Sequence, residues 1–108
     1  MNLNKFKLLL QGIINRTEST FNRKRNEYAN DADVFISLKN GTDFSFHNEP
    51  EKVAYEYLCK HLESIKSIIN KLPEEKPRYE LINEKFGDAI NYLIIIEGLL
   101  KERVNKEI

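Results

Sequence analysis

The chain has 108 residues and as many basic as acidic side chains, 17 of each, so no net field draws it to nucleic acid or to an anionic membrane. Its single cysteine, Cys59, excludes an internal disulfide, and no Cys/His group has the spacing of a zinc site, which fits a reducing cytoplasm. No apolar run reaches the roughly 18–20 residues that span a bilayer, and a lone domain this small buries only roughly 60–68 % of its unfolded surface, so a partner subunit would add to its core.

Taken in chain order, the hydropathy pattern predicts an all-α bundle of three long helices and one short one, near residues 4–30, 31–39, 49–72 and 77–105, in a single domain of residues 1–108. In the first segment Phe6, Leu10, Ile13, Thr17, Phe21 and Tyr28 recur at spacings of three, four and seven, the period of an amphipathic helix. Asn30 and Asp31 carry stop and restart signals. Asp31 or Asp33 is placed to cap a short helix bearing Val34, Phe35, Ile36 and Leu38, which ends at Asn40-Gly41. The stretch Gly41 to Asn48 reads as a loop pinned by Phe44 and Phe46. Pro50 then suits the first turn of a helix whose stripe is Ala54, Leu58, His61, Ile65, Ile68 and Leu72. Pro73 and Pro77 must break that helix, because proline lacks a donor and clashes with the preceding turn. The last helix follows, with a main stripe of Ile82, Phe86, Ala89 or Ile90, Leu93, Glu97 and Leu100 and a second apolar face through Leu81, Tyr92, Ile95 and Leu99. A helix apolar over most of its circumference is either central or covered by another chain, so the last helix is the expected seam of a homo-oligomer.

Asp88 falls within that second apolar face, and a buried carboxylate needs partners. Glu84 lies one turn before it and Asn91 three residues after it, so three oxygen-bearing side chains project from one side of the helix. Such a set can hold Mg²⁺ and, through it, a phosphate. The alternative is a carboxylate paired with a cation of another helix, a common structural arrangement. A second candidate is Arg23-Lys24-Arg25 with Tyr28 one turn beyond Lys24, cations and an aromatic ring on a surface suited to phosphate and base. Cations also collect near a helix C-terminus because they offset the macrodipole. His61 sits within the stripe of the third helix, where a histidine is commonly a hydrogen-bonded packing residue. Cys59 has no adjacent His or cationic run to activate it, and no glycine-rich phosphate loop, Gly-x-Ser-x-Gly or His-Glu-x-x-His occurs.

Two blocks, FNRKRNEYANDADVF (residues 21–35) and INEKFGDAINYLIIIEGLL (residues 82–100), resemble phage and bacterial proteins of the nucleotide-modification-associated domain family. Lys24, Glu27, Tyr28, Asp33 and Phe35 take the first set of positions, Glu84, Asp88, Asn91 and Tyr92 the second, and HLESI, from His61 to Ile65, resembles the middle helix of that family. The late helix is also similar to the Glu-x-x-Asp helix of MazG-like all-α nucleoside triphosphate pyrophosphohydrolases, except that Lys85 stands three before Asp88 where that family carries a glutamate. The resemblance implies a nucleotide or nucleotide-derived ligand held by Arg23, Lys24, Arg25, Tyr28, His61, Asn91 and Tyr92, with Glu84 and Asp88 near Mg²⁺. If the ligand is turned over, the implied chemistry is Mg²⁺-dependent pyrophosphohydrolysis; if Lys85 displaces a needed ligand, binding without turnover follows. The abundance of Asn, Lys, Ile and Glu suggests an AT-rich coding sequence, as in a low-GC bacterium or its phage. The competing expectation is a non-catalytic phage protein that inhibits a host defence enzyme, using the last helix and the Phe44–Phe46 loop as anchors. Direct nucleic-acid binding is disfavoured by the zero net charge.

Overall fold

The computed structural model describes residues 1–28, 33–43 and 46–104, and for residues 24–28 the backbone alone. Among the described residues there are four α-helices and no strand: α1 Leu3–Tyr28, α2 Ile36–Gly41, α3 Pro50–Asn70 and α4 Tyr79–Arg103. None of them is long and apolar enough to cross a membrane.

The helix ends follow local chemistry. Pro50 occupies the first turn of α3, where its missing N–H is not needed, and Glu51 puts a negative charge into the same turn. The chain leaves α3 at Asn70, two residues before the expected end, and runs through turns at Pro73 and an irregular stretch holding Pro77 before α4 starts at Tyr79, two residues later than the pattern predicts. The short helix departs further from its expected span of 31–39. It begins at Ile36, with Phe35 at the N-cap and no side-chain cap. Asp33 does not cap it: its carboxylate accepts the Phe35 N–H at 3.0 Å, while the Asp33 carbonyl accepts the Ile36 N–H at 3.3 Å. That local turn delays the helix, as short polar side chains do when they bond backbone close to themselves. Residues 29–32, with the expected cap Asp31, lie outside the described residues, as does Phe44.

The core sits where α3 and α4 pack, with α2 laid against α3 and α1 touching α4. Val53, Ala54, Leu58, Ala89 and Leu99 are its buried apolar residues. The α3 stripe read from the sequence supplies two of them, Ala54 and Leu58; on α4 the docked side takes Leu99 from the second face and Ala89 from the edge of the main stripe. Leu99 is 2 % exposed, whereas Leu93 and Leu100 of the expected main stripe are about half exposed. Both faces are apolar, so helical period alone does not say which residues α3 covers.

One end of this pair is fastened twice. Arg103, in the last turn of α4, donates to Glu51 in the first turn of α3 and to Glu49 at its N-cap. The guanidinium holds the Glu51 carboxyl below the usual range, and the two carboxylates hold Arg103 in its charged form. Each charge also lies at the helix end whose dipole it complements. Lys39 of α2 bridges Asp33 and Glu102, 2.8 Å from each. Between these ion pairs Phe35 lies over Gly98: a Cβ there would stand 2.6 Å from the ring, so the backbone of α4 is bare where the ring lands.

Candidate functional site

The α3–α4 seam brings three of the residues singled out in the sequence into one cluster. His61 of α3 stacks on Tyr92 of α4, ring centroids 5.3 Å apart and planes 20° from parallel. Nδ1 of the same imidazole lies 3.7 Å from Asp88 Oδ2, too long for a hydrogen bond and within ion-pair reach when the ring is protonated. Tyr57, one turn before His61, adds a second ring at 5.8 Å from Tyr92, and the Lys60 ammonium stands 5.6 Å from the Tyr57 ring centre.

Antiparallel packing explains the grouping. Positions 57 and 61 are stacked on one flank of α3, positions 88 and 92 are stacked on α4, and the buried Leu58 and Leu99 draw the two helices together beside them. Burial is the main reason the Tyr92 hydroxyl is pushed above its usual pKa, with the nearby Tyr57 and Asp88 adding to it. The hydroxyl is a donor at neutral pH, as any phenol is. Asp88 itself is 39 % exposed in its side chain, so the carboxylate expected within an apolar face lies at the rim of the seam, where a ligand can reach it.

The remaining expected site residues divide. Glu84 is exposed and faces Lys85, 3.6 Å away, while Asp88 turns to His61. Among the described residues no three His, Cys, Asp or Glu side chains gather as a metal site would require. Asn91 is buried in α4. Arg23 is exposed, and the side chains of Lys24, Arg25 and Tyr28 lie outside the described residues. A link between the α1 cations and α4 nevertheless exists at Arg16. Its Nη1 donates to the Asn83 side chain at 2.9 Å, its Nε lies beside Gly87, and its Nη2 is buried without an acceptor among the described residues. A buried donor left unmade costs about 1–3 kcal/mol, so this guanidinium is an anion-ready group one residue along α4 from Asp88.

Tyr57 and Lys60 are not marked as ligand groups by any motif, whereas Arg16, two turns before Arg23, belongs to the α1 surface that the sequence marks as suited to phosphate and base. The signal for Tyr57 was the four-residue spacing to His61, and for Arg16 it was the seven-residue spacing to Arg23. On the other flank of α3 a shallow, largely apolar cavity of about 470 Å³ is lined by Tyr55, Cys59 and Ile96, with His47 and Glu56 paired at 3.2 Å on its rim. It holds none of the expected residues.

No family model matches the chain, and no curated protein or solved structure matches it.

Proposed function

We propose that the chain binds a nucleotide or a nucleotide-derived phosphate compound at the Tyr57–His61–Tyr92 cluster, as a phage-type protein that sequesters its ligand in the host cytoplasm. The observation that carries this reading is the stack of His61 on Tyr92 with Asp88 at its edge. Aromatic faces accept a base by stacking, worth about 1–3 kcal/mol per base. The Asp88 carboxylate accepts from an exocyclic amine or a sugar hydroxyl, and Lys60 and Arg16 supply positive charge for phosphate. The resemblance of residues 21–35 and 82–100 to nucleotide-modification-associated proteins points the same way.

Binding without turnover is favoured over hydrolysis. Lys85 stands 3.6 Å from Glu84 and competes with any cation for that carboxylate, leaving Asp88 as the available acid. Mg²⁺ enters this reading as the companion of the ligand's own phosphates, since it is commonly held by one or two carboxylates plus substrate oxygens. A ligand that binds the folded state alone raises the melting temperature. A thermal-shift screen of nucleotides, cyclic nucleotides and ADP-ribose-type compounds, with and without Mg²⁺, should give a shift for one of them that Tyr92→Ala abolishes. Chromatography of the same sample should return the compound intact. A folded chain that no compound shifts would remove the proposal for the compounds tested.

A second reading has its own observation. Phe46, in the loop before α3, is fully exposed, as an anchor for another protein would be. Under this reading the chain inhibits a host defence enzyme by direct contact. Phe46→Ser then weakens that contact while Asp88→Asn leaves it intact, the reverse of the pattern a nucleotide site requires.

A further inference from the structure

We propose that two copies of this chain pair through the N-terminal half of α1 and the outward stripe of α4. Every residue from Met1 to Gly12 is exposed, although this half of α1 carries an apolar face. Phe6 is 52 % exposed and Leu10 48 %, and beyond the helix's own adjoining backbone no atom of the described residues comes within 4 Å of where a Cβ on Gly12 would stand. α1 meets α4 further on, where Arg16 reaches Asn83 and Gly87. A helical arm of about 12 residues is marginal in water on its own, since most helix stability in proteins comes from packing an apolar face. This arm has such a face, and it stands exposed.

α4 repeats the pattern. With α3 on one side and Arg16 and Phe35 on another, its third side presents Phe86, Leu93 and Leu100 to water.

The areas match a second copy. A compact chain of 12.7 kDa exposes about 6,200 Å² and has a radius of gyration of about 13 Å. This protomer exposes 8624 Å² and has a radius of gyration of 16.0 Å. The excess is about 2,400 Å² per chain; covering half of it on each of two chains removes about 2,400 Å² in total, within the range of roughly 2,000–5,000 Å² for permanent homodimers. Zero net charge leaves no long-range repulsion between copies. A two-fold arrangement, in which each arm meets the other chain, closes the assembly at two and buries both faces at once. The Tyr57–His61 flank of α3 stays free in this pairing, so the dimer stands or falls independently of the ligand site.

Light scattering behind size exclusion tests this on the full chain. The expected mass is about 25 kDa, twice the 12.7 kDa of one chain. Phe6→Glu and Leu93→Glu should each shift it to one chain, while Leu62→Glu, on the exposed side of α3, should leave it at two. A mass other than two chains, or a two-chain mass that neither substitution lowers, overturns the proposal. Amide exchange of the unaltered chain gives a second readout that needs no variant to fold. Protection over residues 3–14 should rise with protein concentration across the dissociation range, and concentration-independent exchange there would also overturn the proposal.

Discussion

The two ends of this molecule are built to different standards. Where the end of α4 meets the start of α3, Leu99, Val53 and Ala54 are almost fully buried, Phe35 closes over Gly98, and Arg103 and Lys39 tie charges of three elements together. In the first half of α1, residues of comparable hydropathy are exposed. Apolar content is therefore a poor guide to where stability resides. The fastened end carries the fold of the protomer, and the exposed arm is the surface on which the proposed pairing of two copies rests.

The sharpest way to break the contrast is to delete one large side chain at each end. Leu99→Ala should cost about 2–5 kcal/mol, because it opens a cavity at the tightest point of the seam. Urea unfolding should show that loss at every protein concentration. Leu10→Ala should lower stability only in so far as it weakens association, so its effect should fade on dilution. Equal, concentration-independent losses at the two positions would show that the arm is packed within its own chain.

The ion pairs at the fastened end come next. Glu51 is held below its usual pKa by Arg103. A carboxyl whose folded pKa is depressed adds stability that is complete above its unfolded pKa, near 4.3, and lost as pH falls through the lower folded value. Asp33, lowered chiefly by Lys39, acts in the same direction. The urea midpoint should thus drop on acidification below about pH 4, and Glu51→Gln should lower it at pH 7 and flatten the acid limb. The change should be smaller than for Leu99→Ala, since the Arg103 side chain is half exposed and water takes up part of the lost bond.

Two glycines sharpen the same comparison at lower amplitude. Alanine in a helix interior gains about 1 kcal/mol over glycine. At Gly12, with open space around it, Gly12→Ala should realise that gain, seen as a higher melting temperature. At Gly98 the new methyl would meet the Phe35 ring at 2.6 Å, so the ring must move off α4 and the gain should be offset or reversed. The smallest effect belongs to the seam's polar flank. The Tyr92 phenol is raised mainly by burial, so it adds stability present below pH of about 10 and lost as pH rises through its folded pKa. An absorbance titration at 295 nm should show one late phenolate step that Tyr92→Phe removes.

The sequence alone carried the all-helical class, the proline-marked break between α3 and α4, the Pro50 start of α3 and, of its stripe, the buried Ala54 and Leu58, but not Val53, nor that Leu72 lies beyond the helix and is half exposed. These follow from period and from the backbone chemistry of proline, both local properties. It also placed His61, Asp88 and Tyr92 among the candidates, by their positions on helices and by a resemblance, without showing that they meet. Only the tertiary structure decided how α4's apolar surface would divide between α3 and water, that Asp33 would bend the chain instead of capping α2, and that Tyr57 would stand beside Tyr92, Lys60 near the Tyr57 ring and Arg16 against Asn83. The reason is one of range. Helical period and capping are written within a few residues, whereas the packing of α4 depends on side chains as far as 52 positions away on α3.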